Sequence, residues 1–380
     1  MPDAPAQAVP RAKLWRRVAL YVGLILLCLA VVVLALRPHK EADVFKGKPM
    51  RQWAAQLLAP GSDTRAQASA VFREMGSSAV PGLISLLESR DPIWRRVLWG
   101  WTLRLPPRLR PGLVRHSPVP QESAAHQAAA MALSLLGTNA APAVPALGHA
   151  LVSGERENRW YAADALGAIG KEALPALTNA LTNSEPEVRA AALLGLSKLG
   201  PAAESAVPQL IERLGDNKPE VRDRAVQALA SIGPPAVPAL VRAIEQERGG
   251  VRQGAARAAG SMFARRRVLE PALLKMLQDD DPASRQQAIM SLAALRGSEE
   301  PVILGLAAAL KDPAPEVRVA AAKGLGEMSW KAQPAVPALT EALKDESPAV
   351  RSNVAVTLGR IRESEARRPK AGTAPNALIP

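Results

Sequence analysis

Residues 206–233 read AVPQLIERLGDNKPEVRDRAVQALASIG. Pro208 suits the first turn of a helix, where its missing N–H leaves no bond unmade. Val207, Leu210, Ile211 and Leu214 follow at helical spacing and predict one apolar stripe. Gly215-Asp216-Asn217 breaks that helix and Pro219 opens the next. There Val221, Ala225, Ala228, Leu229 and Ile232 make a second stripe, which Gly233 ends as a C-terminal cap. The unit is a helical hairpin whose apolar face needs a neighbour to cover it.

The same unit recurs outward in both directions. A hydrophobic-Pro pair stands at Val80-Pro81, Val144-Pro145, Leu174-Pro175, Val207-Pro208, Val237-Pro238 and Val336-Pro337, with Pro271 and Pro301 in the same phase. From Pro145 the steps are 30, 33, 30, 33, 30 and 36 residues. An arginine near the start of the second helix repeats as Arg159, Arg189, Arg222, Arg252, Arg285, Arg318 and Arg351, in steps of 30, 33, 30, 33, 33 and 33. Two independent markers in one rhythm predict tandem repeats and an all-α superhelical solenoid.

The strings AVPAL (143–147, 236–240 and 335–339), PEVRAAALLGLSKLG (186–200) and PEVRVAAAKGLGEM (315–328) resemble HEAT repeats, an armadillo-like class, and in particular the short bacterial kind related to phycobilisome lyase repeats. The resemblance covers residues 49–361, about nine hairpins, and is weakest before residue 140. It implies a hydrogen-bond ladder between stacked repeats. Its members here would be Asn183, Asp216, Asp279, Asp312 and Asp345, each six positions before Arg189, Arg222, Arg285, Arg318 and Arg351. Ser153 and Gln246 depart from that pattern.

Residues 47–58 are expected to form the first helix and 64–76 its partner. The chain before them reads as a cytoplasmic tail (1–17), a transmembrane helix (18–36) and a linker (37–48). VALYVGLILLCLAVVVLAL (18–36) has no charge and no proline. Its 19 residues reach roughly 28 Å as a helix, close to the thickness of a hydrocarbon layer. The run is longer than the apolar part of a cleaved signal, so a retained single-pass anchor is expected. Arginines and lysines flank it on both sides. A short tail before a long soluble region places the amino terminus in the cytoplasm and the repeats across the cell membrane. At the other end, 362–380 reads as a disordered tail.

The 380 residues carry a net charge of +13, which at first suggests nucleic acid. Residues 121–360, however, hold 26 basic and 26 acidic side chains, so most of the solenoid lacks the net positive field of a nucleic-acid wrapper. One cysteine, Cys28, excludes an internal disulfide. The four histidines, His39, His116, His126 and His149, are not spaced as helical metal ligands. There is no P-loop, dinucleotide fingerprint or nucleophile elbow. Asp279-Asp280-Asp281 reads as a solvated turn and Arg265-Arg266-Arg267 as an exposed connection between helices.

One stretch departs from this balance. After Pro81 the next Val-Pro pair comes 64 residues later, so an insertion of about 92–120 is expected within the second repeat. It holds Trp94, Arg95, Arg96, Trp99, Trp101 and Arg104 and no acidic residue. Three readings fit: a helix burying its tryptophans, an interface with a membrane surface or partner, and nucleic-acid stacking. The resulting expectation is a membrane-anchored, non-catalytic scaffold that binds a protein or peptide on its concave face. It takes no cofactor, no metal and no nucleic acid. The alternative carried by the resemblance is an enzyme or enzyme-assisting factor of the bilin-lyase or chaperone-like class.

Overall fold

The computed structural model describes residues 44–89, 122–296 and 300–367. The expected transmembrane helix, the insertion at 92–120 with its tryptophans and arginines, and residues 368–380 lie outside the described residues. Within them, eighteen α-helices pair into nine hairpins. These are α1 (Met50–Leu57) with α2 (Ser62–Met75), α3 (Val80–Glu88) with α4 (Glu122–Leu136), and α5 (Val144–Ser153) with α6 (Arg156–Ile169). Next come α7 (Leu174–Ala180) with α8 (Pro186–Leu199), α9 (Val207–Arg213) with α10 (Pro219–Ile232), and α11 (Val237–Gln246) with α12 (Gly249–Gly260). The last three are α13 (Arg266–Met276) with α14 (Pro282–Ala294), α15 (Glu300–Ala308) with α16 (Pro315–Glu327), and α17 (Val336–Ala342) with α18 (Pro348–Ala366).

The stripes read from residues 206–233 face the core as their spacing requires. Val207, Leu210, Leu214, Val221, Ala225, Ala228, Leu229 and Ile232 are all buried, while Ile211 is half-buried. One continuous apolar cluster runs from Met50 to Ile361. Except after α14, where residues 297–299 are not described, each second helix followed by a further hairpin turns into a short 3-10 segment before the next first helix, as at Gly200–Ala206 and Pro234–Ala236. In most of these turns a left-handed residue stands eleven positions after the marker arginine; the turn after α12, at Phe263, does without one. Gly200 (φ 58°) and Gly233 (φ 72°) supply it, whereas Arg296 (φ 48°) and Ser329 (φ 56°) adopt it without being glycine.

Second helices approach one another far more closely than first helices do. Small residues allow it. A Cβ on Gly167 of α6 would sit 2.7 Å from the Gly195 carbonyl oxygen of α8, and one on Gly260 of α12 would sit 3.0 Å from Ser291 Cα of α14. The stack therefore bends toward its second-helix layer, which forms the inner face.

Four details differ from the sequence reading. The end of the expected linker is structured: strands β1 (Val44–Phe45) and β2 (Lys48–Pro49) pair through a tight turn, with Lys46 and Gly47 both at positive φ. Trp53 Nε1–H donates to the Phe45 carbonyl at 2.9 Å and fastens this turn to α1. The last helix continues past 361 to Ala366, because Arg362, Glu363, Glu365 and Ala366 favour helix as much as the preceding turn does. Pro271 lies inside α13 instead of opening it. The helix begins five residues earlier, so Arg266 and Arg267 form its first turn instead of a connection, and Arg266 stacks 5.2 Å over the Phe263 ring.

Candidate functional site

Two features could carry function: the ridge where first helices turn into second helices, and the inner face. The ridge is built from the marker arginines. Asp216 closes its own turn by accepting from the Lys218 N–H at 3.0 Å. It also receives Arg189 of the preceding repeat, whose Nε and Nη2 reach its two carboxylate oxygens at 2.8 Å each. Arg189 Nη1 donates to the carbonyls of Asn183 and Ser184, so one guanidinium ties two turns together. Arg285 repeats this on Asp312 at 2.7 Å and on the Asp279 and Asp280 carbonyls. Arg318 pairs with Asp345 at 2.8 Å, and Arg252 pairs with Asp279.

Burial alone would raise the carboxyl pKa of Asp216, Asp312 and Asp345. The hydrogen bonds from Arg189, Arg285 and Arg318 and from local backbone N–H groups outweigh it, and all three sit below the ordinary carboxylate value. The ladder thus runs from the arginine of one repeat to the aspartate of the next. Asn183 keeps only the local role, accepting from the Glu185 N–H at 2.9 Å, while Arg159 pairs with Glu185 at 2.7 Å. Arg222 bonds the Asp216 carbonyl of its own turn at 2.8 Å and reaches no carboxylate in the next repeat. Arg351, in the last repeat, bonds the Asp345 and Glu346 carbonyls.

The inner face carries residues that the repeat pattern did not single out. Arg224 of α10 lies 4.8 Å from the ring centroid of Trp160 on α6, reaching past α8 between them. Tyr161, the next residue of α6, and Leu194 of α8 are half-buried. Lys198 pairs with Asp164 and also donates to Ser134 Oγ at 3.2 Å, linking three repeats. Asp223 and Arg257 pair at 2.7 Å, and the Ser197 and Ser231 hydroxyls meet at 2.8 Å. Further on, Met290 and Val356 are more than half exposed.

His126 occupies the marker position in α4 and donates from Nε2 to the Ser89 carbonyl at 2.7 Å, as an arginine would. It lines a cleft of about 630 Å³ with His149, whose ring meets the Ser153 hydroxyl at 3.0 Å. Among the described residues, no three His, Cys, Asp or Glu side chains are grouped to hold a metal. The first of the three adjacent aspartates is ladder member Asp279; Asp281 caps α14 by accepting from Ala283 and Ser284 N–H.

A family profile described as HEAT repeats matches residues 144–218, 207–270 and 303–369, just over half of the chain. No curated protein matches. Among solved structures, the chain is 21% identical to a designed armadillo repeat protein in complex with peptide (KR)4, covering 50% of this chain and 99% of that one at a TM-score of 0.34. It is 15% identical to yeast importin-beta (Kap95p), covering 83% and 51% at 0.42. To Kap121p bound to Nup53p it is 14% identical, covering 83% and 42% at 0.48.

Proposed function

The chain belongs to the HEAT-repeat family, and we propose that its inner, second-helix face holds a protein or peptide partner without covalent chemistry. The observation that carries this reading is the Trp160–Arg224 pair, which joins two second helices across the one between them. Aromatic and arginine side chains presented together on an open layer are the usual anchors of protein interfaces. The flanking charges are internally paired, Asp164 with Lys198 and Asp223 with Arg257, so the patch is preorganised.

We further propose that residues 18–36 tether this scaffold to the cell membrane as a single pass, with the amino terminus cytoplasmic and the repeats on the other side. Support comes from the length and apolar composition of that run. Labelling of single-cysteine variants in a Cys28→Ser background tests the orientation; repeats labelled only from the cytoplasm overturn it.

The binding reading is tested by detergent extraction of the tagged full chain, affinity capture and mass spectrometry. A protein retained by the wild type and weakened about tenfold or more by Trp160→Ala supports it. Recovery of a bound chromophore or metal ion with no protein partner overturns it.

A further inference from the structure

Residues 248–269 hold Arg248, Arg252, Arg257, Arg265, Arg266 and Arg267 and no acidic residue. Three of these arginines cluster where α12 turns into α13, and that turn is built unlike its neighbours. At the corresponding turns the 3-10 segment tucks an alanine inside: Ala79, Ala143, Ala173, Ala206, Ala236 and Ala335. Phe263–Arg265 buries no side chain. Phe263 and, five residues on, Val268 are instead more than half exposed, with Ala264, Arg265 and Arg267 exposed between them. Arg266 stacks 5.2 Å over the Phe263 ring.

The arginines work against their own helix. Arg265 precedes α13, and Arg266 and Arg267 begin its first turn, where unpaired N–H groups repel cations and favour acids. Phe263 and Val268 forgo the stabilisation of burial at the same turn. Both choices weaken the fold, so packing does not account for them. Arg267 is already engaged, and Glu270, the first acid of the run, is buried in α13. Among the described residues, neither Arg265 nor Arg266 is paired with a carboxylate. On one side the turn Pro234–Ala236 has no charged side chain; on the other Arg296 precedes Glu299 and Glu300, which lead into α15.

The position of the turn identifies its occupant. Strands β1 and β2 bring the chain into α1, so Val44–Pro49 stands at the edge where every first helix begins, the edge of Phe263–Arg265. Consecutive 3-10 turns touch along it, Gly76–Ala79 with Gly137–Ala143 and Gly200–Ala206 with Pro234–Ala236. Val44 is exposed and stands eight residues past Leu36, so it lies at most about 28 Å from the end of the run 18–36. A chain held by that run turns this edge toward the bilayer.

We infer that the Phe263–Val268 turn docks on an anionic bilayer surface. Phe263 and Val268 enter the interfacial layer, while Arg265 and Arg266 meet lipid phosphates. The inference rests on the anchoring reading above. It gives the solenoid a second point of attachment, along an edge, and leaves the inner face open to a partner.

The test reconstitutes the full chain, in a Cys28→Ser background, into vesicles of phosphatidylcholine alone or mixed with phosphatidylglycerol. Ala264→Cys carries an environment-sensitive fluorophore beside the intact Phe263, and Lys218→Cys carries it on the opposite ridge; both positions are exposed. Brominated lipid should quench the Ala264→Cys label about twofold more in the mixed vesicles than in phosphatidylcholine, and should spare the Lys218→Cys label in both. Arg265→Glu combined with Arg266→Glu should abolish that difference without lowering the thermal midpoint, since acids suit a helix start. Quenching at Ala264→Cys no greater than at Lys218→Cys overturns the docking site, and so does quenching indifferent to phosphatidylglycerol or to the two substitutions. Shielding of the label only when a captured protein is added also overturns it, and assigns the turn to that protein. Flotation of the chain with phosphatidylcholine vesicles in alkaline carbonate reads the anchor separately. A chain that floats with its Ala264→Cys label unquenched fails this inference alone. A chain released by carbonate fails the anchoring reading, and the label on mixed vesicles then decides the docking site by itself.

Discussion

Arg189 and Asp216, 27 residues apart and in successive hairpins, meet through two parallel N–H···O bonds of 2.8 Å, with both side chains almost fully buried. Bidentate pairing fixes the planes of both groups, and therefore the rotation of one hairpin on the next. Breaking such a pair strands a charge in a place that water reaches poorly.

Arg285→Ala should therefore be costly. It removes two bonds to buried Asp312 and two to carbonyls, and should lower unfolding stability by about 3 kcal/mol. Arg222→Ala, which loses one carbonyl contact, should cost under about 1 kcal/mol. Urea unfolding followed by circular dichroism measures both; equal losses would refute the reading that Arg222 lacks a carboxylate partner.

Acid should act on the same pairs. Asp216, Asp312 and Asp345 are held below the ordinary carboxylate value, burial opposing and the arginine bonds prevailing. A carboxyl with a lowered folded pKa contributes stability above its unfolded value of about 3.9 and loses it as pH falls through the folded one. The thermal midpoint should vary little through these groups from neutral pH down to about 5, then fall below about 4. Replacing all three by asparagine should lower the midpoint at neutral pH and flatten the acid limb.

Ser329→Gly should stabilise the protein. Ser329 adopts φ 56° where other repeats use Gly200 and Gly233. Relieving a left-handed non-glycine residue is worth about 1 kcal/mol, read as a rise in urea midpoint. A fall in that midpoint would show that the serine side chain has a role of its own.

Gly167→Val tests the inner layer. Its Cβ would meet the Gly195 carbonyl at 2.7 Å and Lys198 Cβ at 2.8 Å, so α6 and α8 must separate, at a cost of roughly 1–3 kcal/mol or more. Gly359→Ala, at the same position of the last repeat with nothing within 4 Å, should be neutral or stabilising by up to about 1 kcal/mol. Thermal melts of the two variants make the comparison.

Much of this architecture is legible in the chain because a repeat states its register many times. Val207 through Ile232 disclose both stripes, and the recurrence of Pro and Arg discloses the stacking. What stays hidden depends on which residue of one hairpin meets which residue of the next. The resemblance implied a ladder between stacked repeats, but the six-residue spacing does not say which arginine takes which acid: Arg189 takes the Asp216 carboxylate, and Arg222 bonds only the Asp216 backbone. The Trp160–Arg224 contact skips a whole repeat and has no local signature. Pro271 kept the phase of a helix start, but apolar Val268 and Leu269 before it continue the helical pattern, and the helix forms upstream of the proline.

The close second helices and the splayed first helices also give the molecule a mechanical polarity. Curling it tighter would press backbone against backbone at Gly167 and Gly260, where nothing can yield. Pulling its ends apart closes the gaps between outer helices, which resist weakly. Such a stack should therefore extend more readily than it curls, and a partner of the kind proposed should be met by stretching sooner than by tightening.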